Sequence, residues 1–369
     1  MLLFRPIRLY LVVLLLGIAV PERSLASFGL RQNSGDAIAP SVCWNYRSET
    51  AILSLGADQT MVFLAKEGSR LEAISAADGE RVWMAEFGGE LVSNVAAGGN
   101  QVFIVTENSG STGTTRIVRS VSSATGITNW VANIIGTGNV FLGIAGTNLV
   151  TVSDSGILTA LRIADGSKAW EKVMDSQVSA MPLISESQLI VGMRDKKIRI
   201  LSTLNSAEIL NLSTNQEPTA LAVGERNIYW GDDHGNVFAY NLESKGYQWK
   251  LKQGGRIIGL VSTSAGLAYA SADNFVYFVS DSYGNIRWKR RLSNRIGSLL
   301  DWNNEFLIAL DASGEQAYIL EEKKGRIVSQ VAPGESELFS LPPNVTGNSA
   351  FLFSPEAVRS YRIDGCVQK

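Results

Sequence analysis

The chain has 369 residues, 45% of them hydrophobic and 18% charged, with 35 glycines against 9 prolines; it is long enough to bury a sizeable core, and neither disorder nor collagen fits this composition. One histidine and two cysteines are too few for a Cys/His zinc site, so any metal chemistry would fall to carboxylates. A formal charge of −2 argues against non-specific nucleic-acid binding.

Arg5 and Arg8 precede an apolar run from Leu9 to Val20, and Ser24-Leu25-Ala26 follows with small residues at the −3 and −1 positions. This predicts a secretory signal peptide over residues 1–26, cleaved near Ala26, and then a linker over 27–40. Twelve apolar residues rise only about 18 Å as a helix, short of the roughly 30 Å hydrocarbon layer, which disfavours an uncleaved anchor as the alternative. Cys43 lies too far beyond the apolar run to carry a lipid. Export places the mature chain in a secreted or periplasmic setting, where two cysteines are more often bridged than free.

From residue 41 onward the chain repeats. Leu71–Trp83 and Leu158–Trp170 both read as an alternating strand, an Ala-Asp-Gly turn, and a second strand with Trp four residues after the glycine. The turn glycines are Gly79, Gly126, Gly166, Gly246, Gly284, Gly325 and Gly365, with separations of 47, 40, 80, 38, 41 and 40. Ser206 stands at the midpoint of the 80, where Gly and Trp are both lost. Trp44, Trp83, Trp130, Trp170, Trp249 and Trp288 fall on the same ladder, with Leu210 and Val328 in the two gaps. Each unit adds an apolar second strand, such as Leu149–Ser153, and an earlier first strand, such as Leu91–Ala96 or Met181–Ser185. Four short strands in about 40 residues, repeated eight times without a helical period, predict an all-β, eight-bladed β-propeller of four-stranded antiparallel blades over residues 41–369.

The last unit supplies strands near Leu338–Leu341, Phe351–Ser354 and Val358–Ile363, then stops after Asp364-Gly365. Its missing Trp strand is found at the other terminus, in Ser41–Tyr46, so the two termini are expected to complete one blade. In that register Cys43 and Cys366 are neighbours, predicting a disulfide that closes almost the whole chain; two unpaired thiols are the alternative.

The pattern Ala-Asp/Thr-Gly-x-x-x-Trp, seen at Ala124–Trp130 and Ala164–Trp170 and shortened at Tyr283–Trp288, resembles the repeat of pyrroloquinoline-quinone-type propellers, in which the Trp packs between blades. Two branches of that resemblance differ in function. Quinoprotein dehydrogenases imply a quinone, a Ca²⁺ held by Glu, Asn and Asp, a catalytic Asp and a vicinal Cys-Cys pair, and Cys43 and Cys366 are not adjacent. The other branch, a non-catalytic eight-bladed envelope propeller that scaffolds outer-membrane barrel assembly, implies a binding scaffold with no cofactor. Val178-Ser-Ala-Met-Pro182 is only loosely similar to the Ser-Ala-Pro element of that branch, and the lipid-anchor Cys of that branch is missing here. The reading is an exported, monomeric scaffold for protein or envelope partners, with a quinone-dependent oxidoreductase or a small-ligand sensor as alternatives.

Propeller polarity puts the second-to-third-strand turns on one face with the blade-to-blade connections, and the Gly/Trp turns on the other. On the first face Glu107–Thr115 accounts for the 47-residue spacing and is expected to be a floppy Gly/Ser/Thr insertion, or else a binding loop that includes Glu107 and Asn108. Arg194, Lys196 and Lys197 form a charged turn there, as do Asp232, Asp233 and His234. The latter three occupy a tight-turn register and are read as backbone chemistry rather than a metal site. Arg287-Trp-Lys-Arg-Arg291 with Arg295 is the strongest basic run; strand alternation divides it between two faces, so it reads as an outer edge guarded by cations, with acidic partners or lipid headgroups as the alternative. Asn211 and Asn344 match glycosylation acceptors. A lone His without a surrounding motif offers no triad, and no phosphate loop is present.

Overall fold

The computed structural model describes residues 40–110, 113–340 and 342–366. The expected signal peptide and nearly all of the linker lie outside the described residues. Every regular element described is a strand, and the strands form eight separate antiparallel sheets. No helix among the described residues is long and apolar enough to cross a membrane. We number the blades 1 to 8 from the first complete unit. Blade 1, for example, comprises Ile52–Ala57, Met61–Lys66, Arg70–Ser75 and Arg81–Glu86 in spatial order from inside to outside.

The sequence pattern follows from where each strand sits. The second strand of a blade is covered on both sides, so Asn148–Ser153 is buried throughout, whereas the outer strand Arg81–Glu86 alternates between exposed and half-buried. The core is divided accordingly. Eight clusters of buried apolar residues are described, and each lies in the seam between two neighbouring blades.

Trp and Gly turn out to be two halves of one contact at five of the eight seams. Trp44, Trp83, Trp130, Trp170, Trp249 and Trp288 each donate Nε1–H to a backbone carbonyl of the next blade, over 2.6–3.0 Å. For all of these but Trp170, whose partner turn holds Ser206, the indole lies against the turn glycine of that blade. A Cβ on Gly166 would stand 2.5 Å from the Trp130 ring, and one on Gly325 2.4 Å from Trp288. Both glycines also hold φ near +70° or +60°, a region disfavoured for other residues. Ser206 keeps the same turn at φ 56°. Blade 4 carries Leu210 instead of Trp, and blade 7 carries Ser329 in that register, the expected Val328 falling one residue earlier in the bulge; there Gly365 has nothing within 4 Å and Gly246 touches only Ser244 at that limit.

The ring closes as expected. Ser41–Arg47 pairs antiparallel with Ala357–Arg362, placing Trp44 opposite Ser360 as the outer strand of blade 8. Cys43 and Cys366 form a disulfide with Cα atoms 5.1 Å apart. A buried ionic knot joins the closing strand to blade 1: Glu72 of blade 1, wholly inaccessible, accepts a hydrogen bond from Tyr46 Oη at 2.6 Å and pairs with Lys66 Nζ at 2.5 Å. Burial, and then the bond to Glu72, push the Tyr46 phenol well above its usual range.

Three strand expectations are corrected. The first strand of blade 8 is Asn344–Thr346, not Leu338–Leu341. Around Gly334–Glu337 the chain turns instead, because the Glu337 carboxylate is drawn inward to Arg359 at 3.0 Å and Arg47 at 3.3 Å. In blade 2 the first strand is broken into Glu90–Leu91 and Ala96–Gly98, with the intervening Asn94 bonding Leu142 of blade 3. In blade 4 it shrinks to Leu183–Ile184; upstream, only an isolated Val178–Met193 bridge and the Ser179 amide on the Gly192 carbonyl remain, while the Ser179 hydroxyl bonds the Pro218 carbonyl of blade 5.

Candidate functional site

The antiparallel order of every blade fixes two faces. The upper face carries the second-to-third-strand turns and the blade connections; the lower face carries the first-to-second-strand turns and the Gly/Trp turns.

On the upper face the long unit of blade 2 is not a floppy insertion. Gln101–Gly110 and Gly113–Ser122 pair without interruption, from Gln101 opposite Ser122 out to Gly110 opposite Gly113. The base of the hairpin is anchored. Arg116, 5% exposed, binds Glu107 at 2.6 Å and donates to the Gly138 carbonyl in the next connection at 2.7 Å. The Asn108 side chain fills the space over Gly89, where a Cβ would come within 2.6 Å of Oδ1. Thus Glu107 is half-buried at the base of the projection, and the exposed residues are Asn108 to Gly110 and Gly113 to Thr115.

The other two nominated groups stand on separate blades. Arg194 joins Thr137, Gly138, Asp154, Ser155 and Gln177 around a polar cleft of about 250 Å³ between blades 3 and 4. Lys196 turns the chain at φ 61°, and Lys197 lies 3.8 Å from Asp195, which also binds Arg199 Nη2 at 2.9 Å. On blade 5, Asp232, Asp233 and His234 place ligand-type atoms within 4.8 Å of one another. Asp232 is buried, and both of its oxygens are engaged by the turn: Oδ1 accepts the amides of His234 and Asn236 at 2.9 Å, and Oδ2 accepts Asn236 Nδ2 at 2.7 Å. Asp311 makes the same kind of cap in blade 7, accepting the Glu315 amide at 2.8 Å and Asn294 at 2.9 Å. The periodic position explains Asp232 without a metal. His234 then bonds Asp233 on the surface at 2.6 Å.

The lower face opens into the central channel, a cavity of about 910 Å³ walled by first strands and by turns at Ser185, Asn303, Asn304 and Gly347. Its wall includes Leu53, Met181 and Val223, each 43–60% exposed. Asp301 is the acid in this lining, and burial holds it above the ordinary carboxylate range. Nearby Glu322 is raised chiefly by burial, only partly offset by a hydrogen bond from the Thr263 hydroxyl at 2.6 Å. The described residues lining the channel include no Lys or Arg, so they do not fit a polycarboxylate quinone. The two cysteines, bridged to one another across the termini, do not provide a vicinal pair either.

Sequence reasoning missed the ionic knot at Glu72, the Glu337 node and the Asp301–Glu322 pair. A signal existed for the first: Glu72 interrupts the otherwise apolar Leu71–Ile74 at a position where alternation buries it. For Glu337 none did, since its partners come from residues 47 and 359.

A family model described as outer membrane protein assembly factor BamB matches residues 31–133 and 114–244. Among solved structures, BamB from Moraxella catarrhalis superposes with a TM-score of 0.67 at 15% identity, covering 88% of this chain and 99% of that one. The computationally designed Ika8 protein gives a TM-score of 0.71 at 13% identity, with 87% and 99% covered. At such identities both likenesses speak to the fold alone. No curated protein matches the sequence. The family match spans residues 31–244, more than half of the chain, and the chain therefore belongs to the family of the outer membrane protein assembly factor BamB.

Proposed function

We propose that this protein is an exported, non-catalytic scaffold of the cell envelope that serves outer-membrane protein assembly through its upper face. The observation that carries this reading is the match of residues 31–244 to the BamB family model. Three features support it. The leader over residues 1–26 reads as an export address. The disulfide suits an oxidising compartment. The anchored hairpin of blade 2 gives a rigid ring one paired projection, the arrangement by which scaffolds present loops to partners.

The test has two arms. In the source cell, the tagged protein should fractionate with the envelope after losing its leader, and deletion of its gene should lower the amount of folded outer-membrane barrels several-fold. Site-specific crosslinkers at Ser109 and Thr114 should capture an assembly component, while the same crosslinker at Thr125 on the lower face should not. Cytoplasmic recovery, or barrel levels unchanged by the deletion, would overturn the proposal.

A further inference from the structure

The outer strands of blades 5 and 6, Gly246–Lys252 and Ile286–Arg291, differ from all other outer strands described in charge. With their flanking turns they expose Lys245, Lys250, Lys252, Arg256, Arg287, Lys289, Arg290, Arg291 and Arg295. None of these nine is ion-paired to a described carboxylate, and residues 245–256 and 285–295 contain no acid. Elsewhere on the perimeter the charges are mixed: Arg70 binds Glu86 at 2.7 Å on blade 1, and Lys168 binds Glu171 at 3.0 Å on blade 3. The whole chain has 33 basic and 35 acidic side chains; with these nine set aside, 24 bases face 35 acids elsewhere. An acidic protein thus concentrates its unneutralised positive charge on two adjacent edges.

Four of these exposed side chains are positioned through their charged heads, which the protein holds at the surface without neutralising them. Lys250 lies over the Phe238 ring at 4.9 Å and Lys289 over Phe275 at 5.4 Å. Arg287 donates to the Ala265 carbonyl at 2.6 Å, and Arg290 to Gly325 of blade 7 at 2.7 Å. Alternation still divides the run as expected: Trp288 and Arg290 face blade 7, and Lys289 rests on its own blade. The cations therefore line successive seams along the rim instead of converging on one pocket, a spread that matches a flat anionic surface better than a single anionic ligand. Tyr247, Tyr283 and Ile286 interrupt the same rim, 55%, 75% and 41% exposed, adding the amphipathic side chains favoured at a lipid–water boundary. Lysine, four of the nine, is depleted from protein interfaces but well suited to headgroup attraction.

We propose that the rim of blades 5 and 6 docks on a membrane surface of anionic phospholipid headgroups. Vesicles of phosphatidylglycerol and phosphatidylethanolamine test this by co-sedimentation with the purified chain, against neutral phosphatidylcholine vesicles. Each cation near such a surface contributes about fivefold in affinity. The variant Lys250→Gln/Lys252→Gln/Arg287→Gln/Arg291→Gln is expected to bind the anionic vesicles at least about fiftyfold more weakly, with an unchanged melting temperature. The control Arg194→Gln/Lys196→Gln/Arg226→Gln should bind like the parent. Raising salt to 0.5 M should abolish the difference between the two vesicle types. Equal binding to neutral and anionic vesicles, a loss under threefold in the quadruple variant, or tighter binding to soluble poly-glutamate than to the vesicles would overturn the proposal, the last in favour of an acidic protein.

Discussion

Reducing the Cys43–Cys366 disulfide tests how the ring is held shut. The bond joins residues 323 apart, and the chain-entropy relation for a loop of that length gives about 5.7 kcal/mol at 25 °C, a value that depends on the unfolded state being otherwise unconstrained. Unfolding some 330 residues carries an entropy of about 0.7 kcal/mol/K, so the loss corresponds to a fall of about 8 °C in Tm. The native ring should nevertheless stay closed on reduction. Ser41–Arg47 keeps its ladder with Ala357–Arg362, Trp44 keeps its bond to the Ala76 carbonyl at 3.0 Å, and Tyr46 keeps Glu72. The assay is a thermal melt of the Cys43→Ser/Cys366→Ser variant beside the oxidised parent, with near-ultraviolet circular dichroism at 25 °C. The expected result is an unchanged tryptophan signal and a melt lower by about 8 °C. A shift under 2 °C would mean the reduced termini are already tethered in the unfolded ensemble, and loss of the tryptophan signal would mean the disulfide, not the strand, closes blade 8; either refutes the reasoning.

The Trp–Gly contact predicts opposite outcomes at glycines of the same register: Gly166→Ala and Gly325→Ala should each cost about 2–4 kcal/mol in urea unfolding, from overpacking against an indole plus a positive φ, whereas Gly246→Ala, with no indole opposite, should be within about 0.5 kcal/mol of the parent. Glu72→Ala strands Lys66 in the core and should cost about 3–5 kcal/mol, while Lys66→Met/Glu72→Leu should recover most of that; equal losses in both variants would discount the ion pair. Glu322 has a raised pKa, so the folded state holds its proton more tightly than the unfolded chain, and the resulting stability is present at low pH and lost as pH rises through the folded value. Glu322→Gln should therefore melt above the parent at pH 8 and level with it at pH 4, a comparison that scanning fluorimetry makes directly.

How far the fold could be read from sequence depended on whether a feature repeats. The Trp ladder, the glycine turns and the terminal strand of blade 8 all recur at about 40 residues, so one good unit identified the others, and register alone brought Cys43 to Cys366. First strands were read least well. Leu91–Ala96 looks apolar enough for a continuous strand, yet Asn94 leaves the ladder to bond both the amide and carbonyl of Leu142 in the next blade. No local pattern records a contact 48 residues away. The hairpin of blade 2 differs again: Ser, Thr and Gly suggested an irregular insertion, whereas the segment pairs as two strands with Arg116 inserted between Glu107 and Gly138 at their base.

The same reasoning locates function where the period is broken. A repeat is retained because each blade must bury the same seam, so residues that obey it, including Asp232 with its turn cap, are accounted for by the ring itself. What the seam does not require is the longer hairpin of blade 2 and the single-sign charge on blades 5 and 6. The hairpin projects from the upper face and the cations lie on the outer rim, so a ring resting on a membrane by that rim would hold the hairpin to one side, clear of the lipid and free for a protein partner. Charge removal at Lys250, Lys252, Arg287 and Arg291 should then weaken vesicle binding without altering crosslinking at Ser109 in detergent solution. Coupled loss of both would show that one surface, not two, carries the binding.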